Sequence, residues 1–133
     1  MSECSCVYVG LSQCDEIEVI KERLRHDSKR SYHCCECGGV IEAGTIHEYM
    51  FGRYDGDICR YRTCMDCLSL RKTFFCDGWI YGNTWELFGE HVDNMDGRIE
   101  ESCIAALTPA ARAKVCGMIE DWWERYDNGE GEP

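Results

Sequence analysis

Cys34-Cys35-Glu36-Cys37-Gly38-Gly39 and Cys64-Met65-Asp66-Cys67, with 26 residues between Cys37 and Cys64, decide how this chain is read. Two Cys-x-x-Cys pairs supply four thiolates, the number that a tetrahedral Zn²⁺ takes, and Gly38 gives the backbone the freedom that a tight knuckle needs. Four protein ligands close the coordination shell and leave no position for water or substrate, so the pattern points to structural rather than catalytic zinc. The expected ligands of one Zn²⁺ are Cys34, Cys37, Cys64 and Cys67.

Between the pairs, Ile46 to Arg53 and Ile58 to Thr63 are rich in aromatic and β-branched residues. They flank Tyr54-Asp55-Gly56-Asp57, whose Asp-Gly pair signals a β-hairpin turn. Thr63 reads as an N-cap, which places Cys64 and Cys67 in the first turn of a helix ending near Phe75. Three residues apart, the two thiolates share a face at the positive end of the helix dipole. Knuckle, hairpin and ligand-bearing helix, in that order, resemble the treble-clef zinc-finger family. The resemblance implies an α+β fold with a zinc-finger core over residues 31–76.

A longer set of residues extends the likeness: Cys34 to Gly38 with Ile41 and Gly44, the Gly52–Gly56 turn, Tyr61-x-Thr63-Cys64-x-x-Cys67, and Phe75-Cys76-x-Gly78-Trp79-x-Tyr81-Gly82-x-x-Trp85. Together they resemble small uncharacterised proteins of phages and prophages. That implies a mobile-element setting and brings no catalytic residues and no substrate.

Outside the core, residues 77–127 read as a helical extension. A loop around Trp79 leads to a Thr84-capped helix carrying Trp85, Phe88, Val92 and Met95 and ending at Asn94-Met95-Asp96-Gly97. A short amphipathic stretch from Ile99 to Leu107 follows. Thr108-Pro109 then starts a last helix with the stripe Ala111, Val115, Met118, Ile119, Trp122 and Tyr126. Residues 128–133 read as a disordered acidic tail. Upstream, residues 15–30 fit a helix by Ile17, Ile20 and Leu24 and a strand by Ile17 and Val19; an extended segment leading into the knuckle is expected. The whole, residues 1–133, is expected to be a single domain.

The net charge of −11 is unevenly spread: −4 over residues 1–20, +3 over 21–30, −1 over 31–75 and −9 over 76–133. Such acidity disfavours nonspecific nucleic-acid binding. Neither a secretory leader nor a run of about 18 apolar residues stands in the chain, so a cytoplasmic location away from membranes is expected. In a reducing compartment its 12 cysteines argue for metal ligation with some buried thiols rather than disulfides. Cys4, Cys6, Cys35 and Cys76 are left over beside the first site and form a candidate second metal site, against the reading of small buried or disordered thiols.

No His-Glu-x-x-His or deaminase signature is present, and His47 is the lone candidate general base of a nuclease-like site, so no enzyme is expected. Two binding readings remain. One is a zinc-stabilised protein-interaction module whose acidic helical part docks on a host or phage protein, as an inhibitor or nucleic-acid mimic. Its contact residues would be Trp123 at the edge of the last helix's stripe, with Glu120 and Glu124 beside it. The other is a nucleic-acid-binding zinc finger using the basic 21–30 segment with Arg53, Arg60 and Arg62 among the hairpin's aromatic rings. Six acids against five bases over residues 31–75 weigh against the second.

Overall fold

The computed structural model describes Val7, residues 18–75 and residues 78–128. In order these form β1 (Glu18–Arg25), β2 (Tyr32–His33), β3 (Val40–Ile41), β4 (His47–Tyr54), β5 (Asp57–Cys64), α1 (Met65–Phe74), α2 (Thr84–Asn94), α3 (Glu101–Ala105) and α4 (Pro109–Asn128). The architecture is mixed α+β. Asp55 and Gly56 both take positive φ, 53° and 85°. That is the backbone of the two-residue turn whose twist matches a hairpin, and it joins β4 to β5 where the Asp-Gly pair predicts.

β1 is the extended segment expected from the sequence, and it pairs antiparallel with β4 to make a sheet of order β1-β4-β5. β2 and β3 form a separate two-stranded ladder around the knuckle. Met50, Glu48 and Thr63 are buried on the sheet face that α1 covers. There Arg71 of α1 donates from Nη2 to Glu48 Oε2 at 2.5 Å, with both side chains almost wholly buried. The Arg71 guanidinium lies over the Trp79 ring at 4.2 Å, and Tyr81 stacks on Tyr61 at 4.4 Å. The Trp79 loop therefore packs, closing the ion pair from water.

The main core lies among the helices. Leu70, Phe74 and Phe75 meet Phe88, Val92, Ala111, Val115 and Trp122, and Val7 joins them through an N–H bond to the Phe74 carbonyl at 2.7 Å. α4 is tied to α1 at its start, where the Thr108 hydroxyl donates to Asp66 Oδ1 at 2.6 Å and its N–H to Ser69 Oγ at 3.0 Å. α2 ends in paired reverse bonds, Gly97 N–H to the Val92 carbonyl and Asp96 N–H to that of Asp93, with Asp96 in the left-handed region. No helix among the described residues is long and apolar enough to cross a membrane.

Three local expectations are corrected. Thr63 is not the cap of α1: it lies fully buried in β5, and Cys64 takes the N-cap position without a side-chain cap bond. Thr84 is the first residue of α2 and not its cap, because an acid from the knuckle takes over the capping. Met95 and Tyr126, expected on buried stripes, are 39% and 48% exposed. The expected tail, 128–133, falls outside the described residues beyond Asn128.

Candidate metal centre

The first pair is shaped by its own loop. Cys34 N–H donates to the Gly39 carbonyl at 2.8 Å, Gly38 N–H donates back to the Cys34 carbonyl at 2.9 Å, and Gly38 takes φ 75°. The second pair comes from the junction of β5 and α1, with Cys64 at the N-cap and Cys67 one turn in. The fold brings all four sulfurs within 4.8 Å of one another, with Cys37 and Cys64 at 4.0 Å. The edge of a tetrahedron of sulfurs around Zn²⁺ is about 3.8 Å, close to these separations.

Four N–H groups are aimed at these sulfurs. Glu36 N and Cys64 N lie 3.4 Å from Cys34 Sγ, Gly39 N 3.4 Å from Cys37 Sγ, and Trp85 Nε1 3.1 Å from Cys67 Sγ. Such donors stabilise thiolate charge, as a metal site requires. Hydrogen bonds from the Cys64 and Cys67 thiols hold the Cys34 thiol far below its ordinary pKa, while the same bonds to Cys34 raise Cys64 and Cys67. The shared protons concentrate negative charge on Cys34, and a divalent cation held by the cluster would take their place.

Two residues beyond the ligand set join this centre to the helical half. Glu36, between the two knuckle ligands, accepts from Gly82 N at 2.9 Å on Oε2 and from Thr84 N and Thr84 Oγ1 at 3.1 and 2.8 Å on Oε1. It caps α2 from 48 residues away and places its charge at the positive end of that helix. Trp85 of α2 reaches Cys67 with its indole N–H while Lys114 of α4 sits over its ring at 4.2 Å. The ligand pattern does not disclose either role. The one signal in the sequence was an acid between two thiolates, which needs N–H donors to offset the crowded charge.

Glu36→Ala removes three acceptor contacts from the start of α2 without touching a ligand. It is expected to cost about 2 kcal/mol and lower the unfolding midpoint, with metal content unchanged. Metal analysis alongside a thermal melt checks this; loss of metal with the cap would make Glu36 part of the site itself.

Of the candidate second site only Cys35 is described, and Cys4, Cys6 and Cys76 lie outside the described residues. Cys35 Sγ contacts Thr63 Oγ1 at 3.5 Å and Glu36 Oε2 at 3.7 Å, and burial pushes its thiol up to about 12. His47 is fully buried, with Nε2 receiving Arg62 Nη1 at 2.9 Å and Nδ1 at 3.0 Å from the Thr45 carbonyl. Arginine can only donate, so Nδ1 carries the proton and both nitrogens are engaged. Trp123 is 39% exposed, donates Nε1–H to the Gly97 carbonyl at 3.3 Å and meets Trp122 edge-on at 5.1 Å. A Cβ on Gly97 would stand 2.8 Å from the Trp122 ring, so glycine is what lets the two tryptophans close over the end of α2. Glu120 and Glu124 are exposed on α4 beside them. Compared with protein-family models, curated proteins and solved structures, the chain matches none.

Proposed function

We propose that the chain is a non-enzymatic interaction module, a treble-clef-like core stapled by one Zn²⁺ and carrying a helical part that docks on a protein partner. The observation that carries this reading is the closed set of four sulfurs within 4.8 Å. All four positions of a tetrahedral ion are filled, and Glu36 and Trp85 fasten the helical part to the same centre. Soft thiolate donors in a tetrahedron favour zinc, and a redox-silent ion suits a staple. The order of knuckle, hairpin and helix supports the treble-clef assignment.

The docking surface of this reading is α4, where the exposed part of Trp123 stands beside Glu120 and Glu124. A partly exposed ring on a helix that also exposes Glu120 and Glu124 suits a basic partner groove, including one that otherwise takes nucleic acid. Glu120→Lys with Glu124→Lys, at exposed positions, is expected to change stability by less than about 0.5 kcal/mol and to abolish capture of the partner isolated with the wild-type chain. Trp123→Phe gives up the indole hydrogen bond to the Gly97 carbonyl while keeping an aromatic ring at the position, and should weaken capture as well. Pull-down by wild type and variants, with mass-spectrometric comparison, tests this; equal capture by all three would move the docking surface elsewhere.

A further inference from the structure

The pairing of β1 with β4 assembles a surface that no stretch of the chain holds by itself. Across the sheet the residues line up as Lys21–Phe51–Arg60 in one row and Arg23–Tyr49–Arg62 in the next. Residues directly opposite one another share a face. Each half-buried ring therefore lies between two cations, on the side of the sheet away from Glu48, Met50 and α1. Arg60 sits over Phe51 at 5.1 Å and Arg62 over Tyr49 at 4.6 Å, while Arg25 approaches Tyr49 at 5.8 Å. Of the acids on these strands, Glu18 alone falls on this face by register, and Arg53 pairs with it at 3.6 Å.

We infer that this face binds single-stranded nucleic acid, its cations following the phosphates and Phe51 and Tyr49 stacking on two successive bases. This goes beyond the docking of α4 and uses the opposite charge. Lys21, Arg23 and Arg60 face the polyanion, while Arg62 is held between the Tyr32 and Tyr49 rings and donates to His47, fixing the Tyr49 end of the surface. The overall charge of −11 weighs less than its size suggests, because −9 of it belongs to residues 76–133. α1 stands between the sheet and α4, and charges beyond about 8 Å are screened at physiological salt. A duplex keeps its bases stacked inside and offers these rings nothing, so single strands are preferred.

Fluorescence anisotropy of the metal-loaded chain with a labelled 12-nucleotide single strand, and with the matching duplex, tests the assignment across a salt series. Binding is expected to weaken steeply with salt and to favour the single strand by tenfold or more. Phe51→Ala should weaken it by roughly 5- to 100-fold, and Lys21→Gln with Arg60→Gln should flatten the logarithmic salt slope by about 1.4. Circular dichroism and metal content of the same samples show that the variants fold, and they report on the zinc staple independently of binding. No binding at low salt, equal affinity for the duplex, or variants that bind like wild type would overturn the assignment. Polyglutamate competing as well as the oligonucleotide would overturn it in favour of an acidic protein.

Discussion

Stripping the metal from the reduced chain with a strong chelator is expected to unfold the segment from Tyr32 to Cys67 and to loosen α2 with it. A four-thiolate structural site contributes about 10–16 kcal/mol of apparent binding free energy, whereas a whole domain of this size is stable by about 5–15 kcal/mol. Among the described residues the apolar cluster beside the sulfurs is Cys34, Ile41 and Cys67, flanked by Cys64 and Trp85, too small to make up that difference. Loss of the knuckle displaces Glu36 from the N–H groups of Gly82 and Thr84, and loss of Cys67's position frees the Trp85 indole. Circular dichroism should fall and tryptophan emission should change together. Because the ligands must be deprotonated, metal affinity should rise with pH. Elemental analysis is expected to find one zinc per chain, and Cys67→Ser to lose it. A chelated chain with an unchanged melting curve would remove the staple from the account, and two zinc ions per chain would bring Cys4, Cys6, Cys35 and Cys76 back as a second site.

Replacing Glu48 by leucine should be the most damaging single change away from the sulfurs. The carboxylate is the hydrogen-bonding partner of an arginine that is 3% exposed and roofed by Trp79, so its removal leaves a buried cation without its paired carboxylate and with little water. Breaking a buried pair from one side costs about 3–5 kcal/mol, which in a domain of this length lowers the melting temperature by about 10 °C or more. Among the described residues Glu48 Oε1 and Arg71 Nη1 have no hydrogen-bond partner, so the native pair is imperfectly compensated there. Changing both residues, Glu48→Leu with Arg71→Met, should therefore recover most of the loss while leaving the zinc content of the single variant and the wild type unaltered. A single variant that melts with wild type, or a double variant no better than the single one, would show that the pair does not stabilise the fold in this way.

The four-cysteine cluster was legible because ligand spacing is a local property: a knuckle and a first helical turn each deliver two thiolates whatever surrounds them. The same holds for the Asp55-Gly56 turn, for the end of α2 at Gly97 and for the start of α4 at Pro109, where one or two residues restrict the backbone. Capping was misread at Thr63 and Thr84 because a hydroxyl next to a helix start is only an offer. At the first, Cys64 holds the N-cap position, and at the second Glu36 supplies charged acceptors from another part of the chain. Tyr126 and Met95 follow the periodicity of their helices yet stay partly exposed, Met95 at the C-cap of α2 and Tyr126 with its ring against Trp122.

By itself, then, the sequence determined the four cysteines that come together, the hairpin, the succession of α and β elements and the acidity of the helical part, all of them set by chemistry within a few residues. Tertiary structure alone decided the register of β1, the cap on α2, the indole on Cys67, the arginine on Glu48 and the two partners of the His47 ring. β1 carries good helix formers and exposes nearly every side chain, so neither propensity nor hydrophobic period specifies it. What makes it a strand is the free edge of β4, whose backbone N–H and C=O groups need partners. That pairing joins Lys21, Arg23 and Arg25 to a hairpin more than 20 residues away in the chain, and converts scattered charges of a strongly acidic protein into one basic face.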